Sequence, residues 1–158
     1  MIAPGVRVGL RCTAAAVIVA SAAAFAGRTS VIDDTATLPY NANASLQWQA
    51  LAPNRAANNL MDGTTTLQVR LNVAPWLNRN GRIYMVMPAQ QPGPVQVAWT
   101  TQGRLLPGQM TSGTRALVYS GPISAPTINE VMTLKLIVDG TKMWQSYQLK
   151  FHFEIDED

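Results

Sequence analysis

The chain has 158 residues, with twelve Lys or Arg, nine Asp or Glu, one His, one Cys and a net charge of +3. Apolar residues make up 47% and charged residues 13%, a balance that allows one packed domain and excludes an acidic, solvating chain. The basic residues are scattered and "RNGR" (Arg79 to Arg82) is their only close pair beyond the N-terminal segment, so the basic stripe of a nucleic-acid binder is missing.

The first segment, "MIAPGVRVGLRCTAAAVIVASAAAFAG", carries Arg7 and Arg11, then an apolar run from Thr13 to Ala26. "AFA" before Gly27 fits a small-x-small cleavage site, so residues 1–26 read as a secretory signal peptide. The run is too short for a transmembrane span, which needs roughly 20 apolar residues. Cys12 precedes the apolar run and follows Arg11, the wrong arrangement for lipidation. Cleavage leaves ten cationic side chains against nine acids, a net charge of +1, and no Cys. An exported chain without disulfides must be held by its core, and about 132 residues suffice for one.

Residues 27–44, "GRTSVIDDTATLPYNANA", are small, polar and broken by Pro39, and read as an extended N-terminal arm. Residues 45–158 read as a single domain. Seven segments there alternate or run apolar at strand length: Ser45–Leu51, Thr64–Val73, Arg82–Pro88, Pro94–Thr100, Thr114–Ser120, Glu130–Val138 and Lys142–Ile155. Arg82–Pro88 is apolar on both faces, as a central strand should be. Gly-bearing turns punctuate the series: "MDGT", "NRNGR", "TQGR", "LPGQ", "SGT" and "DG". The expected fold is an all-β antiparallel β-sandwich of about seven strands, Ig-like in size, with a small β-barrel as the alternative. The closing acids, "EIDED", read as a solvated tail.

Asp139-Gly140 between two alternating runs predicts a type I′ hairpin. Its register sets Leu136 against Met143, Lys135 against Trp144 and Met132 against Tyr147, with Lys135 stacked on Trp144. The rest of the last strip places Leu149, Phe151, Phe153 and Ile155 on one face. Phe151 and Phe153 are expected in the core of their own chain, with an early strand such as Ser45–Leu51 alongside.

No catalytic or cofactor motif stands out. His152 lies on the polar face of the last strand, without an evident nucleophile. Without Cys the usual structural zinc sets are excluded, and a flexible acidic tail does not supply the ordered oxygens of a calcium loop. Asp62 and Glu130 have no sequence link that would pair them as catalytic carboxylates. No catalytic residue, metal site or cofactor is therefore expected. Trp48 and Trp99 are in phase with apolar neighbours and read as core. Trp76, Tyr84 and Trp144 are the candidate contacts for a partner or glycan; for Trp76 the competing role is to close one end of the core. Together these features imply an exported, non-enzymatic β-sandwich. It would be periplasmic, secreted or on the cell surface, without a transmembrane segment after cleavage. Its expected action is protein–protein contact with another envelope or surface protein, as an accessory or fimbria-like subunit. A carbohydrate-binding module using exposed Trp or Tyr is the alternative.

Overall fold

The computed structural model describes residues 27–39, 45–50, 59–89, 93–142 and 149–157. The signal-peptide reading therefore concerns residues outside those described. So do Trp144 and the rest of 143–148.

The described residues form ten strands. In chain order they are β1 (Thr29–Val31), β2 (Leu38–Pro39), β3 (Gln47–Trp48), β4 (Leu60–Asn72), β5 (Asn80–Met87), β6 (Val95–Thr101), β7 (Gly108–Thr111), β8 (Thr114–Pro122), β9 (Thr127–Asp139) and β10 (His152–Glu157). They make two antiparallel sheets. One has the order β1-β10-β5-β8; the other runs β2-β4-β9-β6-β7, with β3 also on β4. The fold is a β-sandwich; the sheets do not close into a barrel.

The core follows from the two-residue period. In β9 the buried positions are Ile128, Glu130, Met132, Leu134, Leu136 and Val138, and in β4 they include Leu67, Val69 and Leu71. Both rows face Ile83, Met85, Met87, Phe153 and Ile155 of the opposing sheet, all within one buried cluster. β5 is central, between β10 and β8, as its apolar run predicts. Its outer face is only half-buried at Tyr84 and Val86.

Several expectations are corrected. Gly63 of "MDGT" does not turn the chain; it pairs with Leu136 in the middle of β4. A Cβ there would come within 2.9 Å of the Ser45 carbonyl oxygen, so this glycine admits the crossing chain rather than a turn. The Asp139-Gly140 hairpin is also replaced. Met132–Val138 has β4 on one edge and β6 on the other, which leaves no edge for residues 143–147. Asp139 Oδ1 instead accepts from the Thr141 N–H at 3.0 Å and the Thr141 hydroxyl at 2.6 Å, and the chain enters a 3₁₀ turn at Gly140–Lys142. That local acceptor competes with the primed turn. Lys135 points its ammonium at Asp62, 3.9 Å away.

The last strip crosses to the four-stranded sheet. β10 lies between β1 and β5, with Ser30 opposite Ile155 and Ile155 opposite Ile83. Phe153 and Ile155 are fully buried, while Phe151 packs against the core from a half-buried position and meets Phe153 edge-on at 5.9 Å. The neighbour of the last strand is thus Thr29–Val31, not Ser45–Leu51. Residues 27–39 are extended but belong to the sandwich: β1 joins one sheet, β2 joins the other, and Ile32 between them is buried. The acidic end is not a solvated tail either. Glu154 and Asp156 alternate with the core residues of β10, Glu157 follows in phase with them at the strand's end, and each finds a cationic partner. Of the tryptophans, Trp99 is core and Trp48 is 44% exposed, its ring laid over Gly140 at the sandwich margin.

Candidate functional site

The outer face of the four-stranded sheet joins charged and aromatic side chains in one connected network. Strand pairing fixes its rows. One row runs Val31, Glu154, Tyr84, Leu117; the next runs Thr29, Asp156, Arg82, Ser120; a third joins His152, Val86 and Arg115. Val118 is the extra residue of a bulge between the partners of Ile83 and Tyr84. It is fully buried, and Tyr119 after it turns back onto the core while Leu117 stays outside. A bulge of this kind re-aims side chains without ending the strand.

Arg115 organises the face. Its guanidinium carbon sits 4.1 Å from the centre of the Tyr84 ring. Nη2 donates to Asp156 Oδ2 at 3.0 Å, and Nη1 lies 3.8 Å from Glu154 Oε2. Thr29 donates its hydroxyl to Asp156 Oδ1 at 2.7 Å, tying β1 to the same carboxylate. The Thr29 hydroxyl first, and Arg115 with it, hold the Asp156 carboxyl below the usual carboxylate range; the hydrogen bond to Asp156 raises Arg115 further. The guanidinium thus stacks on an aromatic ring and forks onto a carboxylate together. At one margin His152 Nε2 is 3.1 Å from Glu154 Oε1. Beside it burial pushes the Asp34 carboxyl up, against its own backbone N–H, the His152 charge and the Phe153 backbone, which pull it down. Val31 (66% exposed) and Leu117 (37%) flank the network at opposite edges.

The candidate residues fare differently. Tyr84 is half-buried under Arg115 at the centre of this face. Trp76 closes one end of the core instead: it is 9% exposed, in the 3₁₀ turn Ala74–Trp76, and its Nε1 donates to Glu157 Oε1 at 2.9 Å. Arg79 holds the other oxygen of Glu157 at 3.1 Å. Trp76 and Tyr84 therefore do not form one aromatic platform. Trp144 lies outside the described residues.

Two carboxylates left open by the sequence also separate. Asp62 is opposite Ile137, whereas Glu130 is opposite Val69; seven residues along β4 put them roughly 24 Å apart. Glu130 lies on the core face, and its carboxylate accepts the backbone N–H of Gly103 and of Leu105, each at 2.9 Å. It fastens the β6–β7 loop over the end of the sandwich, a structural duty. Among the described residues no group of three or more His, Cys, Asp or Glu side chains could hold a metal ion. No helix among them is long and apolar enough to cross a membrane. The other sheet carries an open groove of about 470 Å³ over Gln96, Ala98, Gln109, Thr111 and Ile137, with no aromatic residue in its lining.

The sequence reading missed Arg115, Glu154 and Asp156. The signal was present, because Glu154 and Asp156 alternate with Phe153 and Ile155 and must share a face with whatever lies beside that strand. Comparison with protein-family models, curated proteins and solved structures finds no match.

Proposed function

We propose that this protein is exported and acts by protein–protein contact, as an accessory subunit of an envelope or cell surface, through the outer face of its four-stranded sheet. The observation that carries the reading is the Tyr84–Arg115 stack with its paired carboxylates, flanked by exposed Val31 and Leu117. Tyr and Arg are the side chains most often found at interface hot spots. The charges are already paired, so a partner does not leave an isolated ion buried. Export rests on the N-terminal pattern of two arginines, an apolar run and "AFA".

A glycan-binding reading has less support. It needs an open aromatic platform, but Trp76 is buried, Tyr84 is covered by a guanidinium, and the groove on the other sheet has no ring to stack on. The test uses the protein exported from its full-length gene. Affinity capture from an envelope extract is compared for the wild type and Leu117→Asp, alongside a glycan array. A discrete protein lost with Leu117→Asp supports the reading. A glycan bound equally by both proteins, with no captured protein, overturns it.

A further inference from the structure

On this face the acids and the arginines stand on different strands, although Arg115 reaches over Tyr84 to the carboxylates. Glu154 and Asp156 both belong to β10, while Arg82 and Arg115 belong to β5 and β8. The boundary runs parallel to the strands between β10 and β5, which are hydrogen-bonded neighbours. A two-fold axis along that line lays the β1–β10 half of one copy over the β5–β8 half of another.

We propose that the occupant of this face is a second copy of the same chain, docked face to face about that axis; this rests on the protein-contact reading above. The operation preserves each row and exchanges its ends. Asp156 and Arg82, which share a row, then face their counterparts across the interface. Val31 and Leu117, the two ends of another row, meet in the same way. Glu154 comes over the Tyr84 ring that carries the other copy's Arg115. An isologous interface requires this kind of self-match, and an axis parallel to the strands keeps the two sheets aligned, within the roughly 30° that sheets stacked face to face adopt. The internal pairs persist, because a guanidinium has five N–H donors and the Arg115 side chain remains 44% exposed. Four strands at about 4.8 Å, with two outward residues on β1 and three on each of the others, give a footprint of at most roughly 20 Å on a side. That is about 400 Å² per copy, roughly half a standard specific interface, so the dimer is a weak, transient one, with micromolar dissociation and a clear dependence on salt.

The experiment is sedimentation velocity on the exported protein over a concentration series, with thermal melts to verify each variant's fold. Asp156→Arg alone and Arg82→Asp alone should each weaken self-association at least tenfold, because each sets like charges against each other twice. An equimolar mixture of the two should associate within about threefold of the wild type, because opposite charges then meet at both positions. Val31→Glu, at a 66% exposed site, supplies a variant with no internal ion pair to lose and should also weaken the dimer tenfold. A wild type that stays monomeric to several hundred micromolar overturns the proposal, as does a dimer indifferent to Val31→Glu. If the wild type is monomeric while Leu117→Asp still abolishes capture of an envelope protein, the docking face stands and only the second copy is wrong. If both fail, the face itself is wrong.

Discussion

The two sheets bury similar apolar rows but are assembled differently. The larger sheet is built on one long ladder, β4 against β9, from Leu60 opposite Asp139 to Asn72 opposite Thr127. The smaller sheet is closed by the two ends of the described chain: Thr29 pairs with Asp156, 127 residues away. Their outer faces differ as well. Across β4, β9 and β6 about half of the outward residues are Thr, Gln or Asn, including a row of Thr66, Thr133 and Thr100, with Asp62, Arg70, Lys135 and Asp139 spaced among them. The smaller sheet instead presents arginines, acids, a tyrosine and exposed aliphatics. The larger sheet's charges are dispersed along its strands, whereas on the smaller one Arg115 gathers Tyr84, Glu154 and Asp156 into one network.

If the smaller sheet depends on closure by β10, the largest effect should come from its buried aromatic. Phe153→Ala should cost about 3–5 kcal/mol, read as a fall in denaturation midpoint, with hydrogen exchange rising first in β1, β10 and β5. Phe151→Ala, at a half-buried site, should cost clearly less. Equal costs would mean that the closure runs through the edge-on ring pair rather than through burial.

A smaller effect should follow from loosening the larger sheet's loop. Glu130→Gln replaces one accepting oxygen with an amide NH₂ that faces a backbone N–H, and should destabilise by about 1–3 kcal/mol. Exchange should increase at Gly103 and Leu105 and leave β1 and β10 unchanged.

The smallest effect separates the sheets by pH. Asp156 titrates lower in the folded chain than in the unfolded one, first because of Thr29 and then because of Arg115. Its stabilisation is therefore present above the unfolded carboxyl value of about 4 and is lost as pH falls toward the lower folded value. Acidification below roughly pH 4 should loosen the β1–β10 seam before the middle of the β4–β9 ladder, whose lowered carboxyl, Asp139, sits only at its end. Thr29→Val should weaken that acid sensitivity, since it removes the largest cause. Hydrogen exchange against pH, followed separately in the two sheets, checks this.

The β-sandwich and most long strands were legible because alternation reports a half-buried strand directly. Leu67, Val69 and Leu71, or Ile83, Met85 and Met87, alternate whatever their partners are. Partner choice was not legible. Asp139-Gly140 has the composition of a primed hairpin, yet the Asp139 side chain takes the Thr141 N–H and hydroxyl, and β9 already has two neighbours. Short edge strands were missed for the same reason: three residues at Thr29–Val31 make no pattern until β10 supplies the other half. The candidate face was half legible. Tyr84 stood out by residue type, but Arg115 joins it only through a pairing of β5 with β8 that a bulge shifts.

The central claim is that the smaller sheet's outer face is the working surface. A photoreactive residue at position 117 of the exported protein, with a second variant carrying it at Thr100 on the outer face of the larger sheet, tests this in growing cells. The account predicts a discrete protein adduct from position 117 and none from position 100. Adducts from position 100 alone, or equally from both, would contradict it.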